Sequence, residues 1–163
     1  MQIIYYNRER KTGTACAPLS EAVKQHITRM ETNNFSDAWT PEMIAETLQQ
    51  SYNHVWLAKD SEVCGYLLAN RIGDETELLR IAVEKPYRTQ GVGMALLEAY
   101  HTFAQQSCLR GLLEVRRGNI AAKHLYEKKG YHLLASRKNY YKHPDEDADI
   151  YEITFTENGD GTC

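Results

Sequence analysis

ETELLRIAVEKPYRTQGVGMALLEAYHTFAQQSCLRGLLEV, residues 75–115, decides the architecture. Glu75–Val83 grows more apolar toward its end and predicts a strand. Lys85–Gly93 holds a proline, two glycines and polar residues, and predicts a loop. From Met94 to Ser107, Ala95, Leu96, Ala99, Phe103 and Ala104 fall on one side of a helix. Gly111–Val115 is a second strand. Parallel strands need a long crossover, usually a helix, so this order predicts an α/β arrangement with local parallel pairing.

Upstream, Gln2–Tyr6 reads as a first strand and residues 7–18 as a loop. Leu19–Thr32 carries apolar residues at helical spacing. Thr40 before Pro41 is an N-cap followed by proline at the first helical position, opening a second helix that runs to about Gln50. His54–Ala58 and Val63–Ala69 are strands joined by a hairpin turn at Lys59–Glu62. Downstream, Asn119 caps a helix over Ile120–Lys129, and Gly130 stops it. Tyr131–Ser136 and Asp149–Phe155 are closing strands around a polar loop, which makes the sheet mixed. There is no internal repeat.

The chain has 163 residues, 42% of them hydrophobic and 10% aromatic, with a net charge of −3. That suffices for one packed domain. The acid excess argues against nucleic acid as a direct partner, because phosphate binding needs a basic face. No apolar run approaches the roughly 20 residues that cross a bilayer. The opening MQIIYYNRERK lacks signal-peptide order, so a cytoplasmic protein is expected. Cys16, Cys64, Cys108 and Cys163 form no CxxC pair and read as free thiols. The six histidines show no ligand spacing with acids or cysteines, so no metal is predicted.

The strongest chemical signal is Arg88-Thr89-Gln90-Gly91-Val92-Gly93, between a strand and a helix. Glycines let the backbone turn tightly and approach a ligand. Amides gathered at a helix start, with the helix dipole behind them, favour an anion such as a pyrophosphate. Arg88 would add a charge-assisted contact. The pattern is neither a dinucleotide fingerprint nor a P-loop. An unliganded turn of the same composition is the alternative.

Three blocks, RIAVEKPYRTQGVGMALLEAY (80–100), LLEVRRGNIAAKHLYEKKGY (112–131) and RKNYYKHPDEDADIYEI (137–153), carry a family resemblance. From Leu79 to about Glu152 the chain resembles GNAT acetyltransferases, and among them the RimI type, which acetylates the N-terminal alanine of a ribosomal protein. The first block is shared by many GNAT enzymes. The other two are more particular to the N-terminal-acetylating branch. NNFSDAWTPEMIAETL (33–48) is similar to that branch only loosely, Ser36-Asp37-Ala38 interrupting its pattern.

The resemblance implies a mixed, centrally splayed sheet flanked by helices. With no domain boundary in the sequence, one domain is expected over residues 1–155, and the polar residues 156–163 read as a flexible tail. The resemblance also implies acetyl-coenzyme A as cosubstrate, held by the strand edge Ile81, Ala82 and Val83, by the loop residues Arg88, Thr89, Gln90, Gly91, Val92, Gly93 and Met94, and by Asn119. Thr89 stands where relatives often carry a basic residue, and Met94 where Arg is common, so fewer phosphate contacts are expected. The implied acceptor is an amine, such as the basic N-terminus of a ribosomal protein, on a monomeric or homodimeric enzyme. A small amine or a lysine as acceptor, and a non-catalytic acetyl-CoA-binding module, are the alternatives.

Acetyl transfer needs a neutral amine, a donor for the oxyanion and a proton for the leaving thiolate. An α-amine, with a reference pKa of about 7.7–8.0, needs only a modest base. Glu114 matches the family's proton acceptor and Tyr126 its donor, with Val83 N–H as oxyanion donor. Read without the family, Glu114 is a solvent-facing strand residue, Tyr126 packs the core and Asn119 caps a helix. Tyr140, Tyr141 and the run Asp145-Glu146-Asp147 are candidates to contact a basic peptide, or belong to a solvated hairpin.

Overall fold

The structure, a computed structural model, describes residues 1–8 and 19–155. The expectations for most of the 7–18 loop and for the 156–163 tail lie outside the described residues. A seven-stranded sheet carries four α-helices. In chain order these are β1 (Gln2–Tyr6), α1 (Glu21–Asn34), α2 (Pro41–Gln49), β2 (Asn53–Lys59), β3 (Val63–Ile72), β4 (Glu75–Val83), α3 (Val92–Ala104), β5 (Arg110–Arg116), α4 (Ile120–Lys128), β6 (His132–Tyr141) and β7 (Glu146–Thr154). The strand order is β1-β2-β3-β4-β5-β7-β6, antiparallel throughout except for β4 beside β5.

The parallel join is short. Only Glu75–Leu78 pairs with Arg110–Leu113. At the next residue β4 bulges: Leu68 faces Arg80 while Ala69 faces Leu78, so Leu79 is the extra residue. A bulge bends and twists its strand, and beyond it β4 follows β3 while β5 follows β7. The sheet forks there, as the mixed, splayed architecture requires.

Both faces are covered, which explains why β2 and β3 are buried almost end to end without polar alternation. Trp56, Ala58, Leu67 and Ala69 face α3, meeting Leu96, Leu97 and Tyr100. Val55, Leu57, Tyr66 and Leu68 face α1 and α2, meeting Ile27, Met30 and Ile44. Helix starts follow their caps: Ser20 Oγ accepts from Val23 N, Thr40 Oγ1 from Met43 N and Asn119 Oδ1 from Ala122 N.

Strand β4 lies over the predicted residues. The first helix is shifted two residues toward the C-terminus, because Ser20 rather than Leu19 stands at its N-cap. Helix α3 starts at Val92, two residues before the predicted Met94, because Gly91 at φ 83° turns the chain and Gly93 continues the helix. The larger correction concerns the closing strands. The polar stretch read as a loop is mostly ladder, with Arg137 opposite Ala148 and Tyr141 opposite Glu146.

Candidate active site

Two clefts meet in the fork. The first, about 560 Å³, runs from Ile81, Ala82 and Val83 along Tyr87–Met94 to Ala121, Ala122 and Leu125 of α4. The second, about 320 Å³, lies between β4 and β5 and is lined by Phe35–Asp37, Leu78–Ile81, Glu114–Arg116, Tyr126, Tyr141 and Glu146. They share Asn34, Phe35, Ile81, Asn119 and Ala122. The structure therefore brings every predicted site residue except Gln90 to the walls of one forked cavity.

The first cleft is built from backbone. Glu84 N donates to Cys64 O of β3 at 2.9 Å. By the two-residue period of a strand, Ala82 also points to β3, while Ile81 and Val83 turn their amides into the fork. At the helix start the first intrahelical bond is Ala95 N to Gly91 O, 2.9 Å. The amides just before it have no helical acceptor. Thr89 adopts φ 60° and Gly91 φ 83°. For a β-branched residue that conformation costs on the order of 1 kcal/mol, a strain typical of ligand-binding turns. Gln90 Nε2 donates to Pro86 O at 2.6 Å, which ties the turn to itself.

Arg88, an exposed side chain, is bonded back onto the fold. Its Nε donates to Val83 O at 3.1 Å and its Nη2 to Asn34 Oδ1. Two of its nitrogens thus link the end of β4 to the end of α1. Asn119 does what its local sequence says, accepting from Ala122 N at 3.2 Å, and lines both clefts as well. An unpaired strand edge, a strained glycine turn and free amides at a 13-residue helix fit a thioester-bearing arm that ends in a pyrophosphate.

The second cleft is built from side chains. Glu114 lies on β5 with Arg116 on the same face, two residues apart. Its Oε1 is 2.8 Å from Arg137 Nη1, which reaches over β7 from β6. Tyr140 shares the carboxylate, and its phenol is held above the usual tyrosine range first by hydrogen bonding to Glu114. Arg116 gathers two loops. Its Nη2 donates to Ser36 Oγ at 2.8 Å, its Nη1 meets Glu146 Oε2 at 3.3 Å, and its guanidinium lies 4.1 Å from the Tyr141 ring centroid.

Tyr126 is 4% exposed and stacks edge-on against Tyr131, so its ring is core. It also lines the second cleft, so the packing and site readings coexist. Burial pushes its phenol well above the ordinary range, with Tyr141 adding to the shift, and it stays protonated at neutral pH.

The acidic run is largely spoken for within the fold. Glu146 Oε1 accepts from Gly118 N at 2.5 Å, and Asp147 accepts from Arg117 Nη1 at 2.6 Å and from Asn139 N at 2.9 Å. Only Asp145 faces outward, beside Lys142 at 3.5 Å. Among the described residues, no three His, Cys, Asp or Glu side chains gather as a metal site. No helix among them is long and apolar enough to cross a membrane.

Sequence reading missed Arg80, Arg116 and Arg137 and the buried pair Glu31 and Tyr66. The contacts that draw them together, Arg80–Asp37, Arg116–Ser36, Arg137–Glu114 and Glu31–Tyr66, span 23 to 80 residues and leave no local pattern.

A forked sheet with a glycine turn and helix start at its mouth defines a class of acyl-transfer proteins. Residues 21–131 match the Acetyltransferase (GNAT) family. The chain is 34% identical over 118 residues to the ribosomal protein bS18-alanine N-acetyltransferase of Escherichia coli (strain K12), covering 71% of this chain and 80% of that one. It is 31% identical over 137 residues to the N-alpha-acetyltransferase RimI of Mycobacterium tuberculosis (strain ATCC 25618 / H37Rv), covering 80% and 85%. The crystal structure of the ribosomal-protein-S18-alanine N-acetyltransferase from Escherichia coli superimposes with a TM-score of 0.80 at 24% identity, over 99% of both chains. The chain belongs to the GNAT family of acetyltransferases. Its cosubstrate is acetyl-CoA.

Proposed function

We infer that the enzyme acetylates a protein N-terminal α-amine, with the N-terminal alanine of a basic ribosomal protein as the leading acceptor. The observation that carries this reading is the junction of the two clefts at Ile81, with Glu114 and Tyr126 lining the acceptor side. The Escherichia coli relative is named for that alanine acceptor, and the Mycobacterium tuberculosis relative for an α-amine.

Acetyl-CoA supplies an activated acyl thioester. The chain does the rest. The unpaired amides from Thr89 to Met94 hold the pyrophosphate against the α3 dipole, with Asn119 reaching the same arm. Ile81, Ala82 and Val83 guide it as a strand edge, and Val83 N–H donates to the acyl oxygen as negative charge develops. Glu114 accepts the proton of the attacking amine through water. Tyr126, neutral and buried, donates to the departing sulfur. The reaction runs in the cytoplasm, on a monomer or homodimer.

The test mixes enzyme and acetyl-CoA with short basic peptides starting in alanine, with free or blocked N-termini. Thiol release is expected with free N-termini alone. Release indifferent to the block would end the N-terminal reading, and a polyamine or amino sugar outcompeting every peptide would replace it.

A further inference from the structure

Helices α1 and α2 are joined by residues 35–40, and this connection forms one wall of the acceptor cleft through Phe35, Ser36 and Asp37. Arg116 of β5 holds that wall at Ser36, and a second arginine on β4 holds the rest of it. Arg80 of β4 has a 13% exposed side chain, and its guanidinium carbon lies 4.7 Å from the Phe35 ring centroid and 4.9 Å from that of Trp39. Its Nη2 donates to Asp37 O at 3.0 Å and to Asp37 Oδ2 at 3.3 Å. Behind it stands Glu31, with no solvent exposure, its Oε1 3.6 Å from Arg80 Nε. Glu31 also accepts from Tyr66 OH and, at 2.8 Å, from Trp39 N. Three of the six connecting residues, Phe35, Asp37 and Trp39, are thus unable to move without disturbing Arg80 or Glu31, by stacking or by hydrogen bond.

A fully buried carboxylate is costly unless it is paired. Its position beneath a wall with no other regular structure points to a role beyond packing. The planar guanidinium accounts for the choice of residue: it stacks on two rings and forks to Asp37 at once, which an ammonium cannot do. Arg80 Nε is sealed from solvent and makes no hydrogen bond. The latch is therefore one bond short of complete, and an acceptor that settles the wall has that bond to gain.

We propose that Arg80 is a positioning residue for the acceptor: it latches residues 35–40 shut over the cleft, with Glu31 as its buried anchor. This rests on the acceptor reading of the second cleft. Arg80 touches neither reacting atom, so its loss acts on acceptor binding and spares cofactor binding.

The experiment uses the full chain, acetyl-CoA and a basic peptide with a free N-terminal alanine. Arg80→Lys keeps a charge near Glu31 and removes the fork and the stacking. Asp37→Asn weakens the latch from the wall side and leaves Glu31 paired, so it remains informative if Arg80→Lys folds poorly. Each is expected to raise the peptide KM about tenfold, the size of one charge-assisted hydrogen bond. The acetyl-CoA KM and kcat at saturating peptide stay within about twofold. In a Trp56→Phe background, Trp39 is the remaining tryptophan, and its emission is expected to shift red in Arg80→Lys as the wall opens. A peptide KM unchanged in a folded Arg80→Lys or Asp37→Asn protein, or a Trp39 emission identical to its parent, overturns the proposal. If no peptide is acetylated by the parent enzyme, the acceptor reading fails on its own, while the Trp39 signal still decides the latch.

Discussion

The two clefts that meet at Ile81 are made by different means. The side read as the cofactor cleft presents amides and a strand edge; its one charged lining residue, Arg88, is spent on Val83 and Asn34. The acceptor side is a lattice of arginines and carboxylates drawn from α1, β4, β5, β6 and the connections between them. Backbone sites tolerate side-chain change but not a change of backbone conformation. Side-chain sites do the reverse.

Predictions can break or sharpen that contrast. Glu114→Gln should cost about 10²-fold or more in kcat with the acetyl-CoA KM nearly constant, measured by thiol release under saturating peptide. A loss confined to the acetyl-CoA KM would mean that Glu114 serves the other cleft. Tyr126→Phe keeps the ring in the core, so kcat should fall about tenfold while the melting temperature holds. On the backbone side, Gly91→Val places a β-branched residue at φ 83°, a strain of about 1–2 kcal/mol. The acetyl-CoA Kd should rise about tenfold and the peptide Kd should not move, as read by calorimetry with each ligand in turn. Asn119 belongs to both clefts and to a helix cap. Asn119→Ala should remove about 1 kcal/mol of stability, seen as a melting temperature a few degrees lower, with both KM values rising by only a few-fold.

A pH experiment separates the core from both clefts. His54 and His101 are each lowered to about 4, chiefly by burial, with Arg71 adding to the first and Lys129 to the second. Both stay neutral in the folded chain while the unfolded chain takes up protons below about pH 6.5. Stability should therefore be fully present above pH 6.5 and drain away as pH falls toward 4. Urea midpoints across that range should show the slope, and His101→Gln should flatten it. An unchanged slope would show that His101 does not set it.

How much could be read from the sequence follows the same divide. Turn and cap signals are local, so the Gly91 turn, the Asn119 cap and the whole of β4 were legible. The glycines that mark the cofactor loop announce a backbone requirement, which a single sequence can express. The extents of β6 and β7 were not legible, because Asn139, Lys142 and Asp145–Asp147 carry turn and solvent chemistry while the ladder holds the strands around them. Arg80 and Arg116 were silent for another reason. An arginine that stacks on rings 41 to 45 residues away, or bonds a serine 80 residues away, has the same neighbours in sequence as any surface arginine.

The brevity of the β4–β5 ladder has a mechanical consequence. Four residue pairs join the halves of the sheet, against seven between β5 and β7. The halves are two stiff plates on a four-rung hinge, and the fork is the open side of that hinge. Any molecule lying along Ile81–Val83 becomes a splint across it. Amide hydrogens at the hinge should exchange more slowly once the fork is filled, and the enzyme should be stiffest at the moment when both of its ligands are aboard.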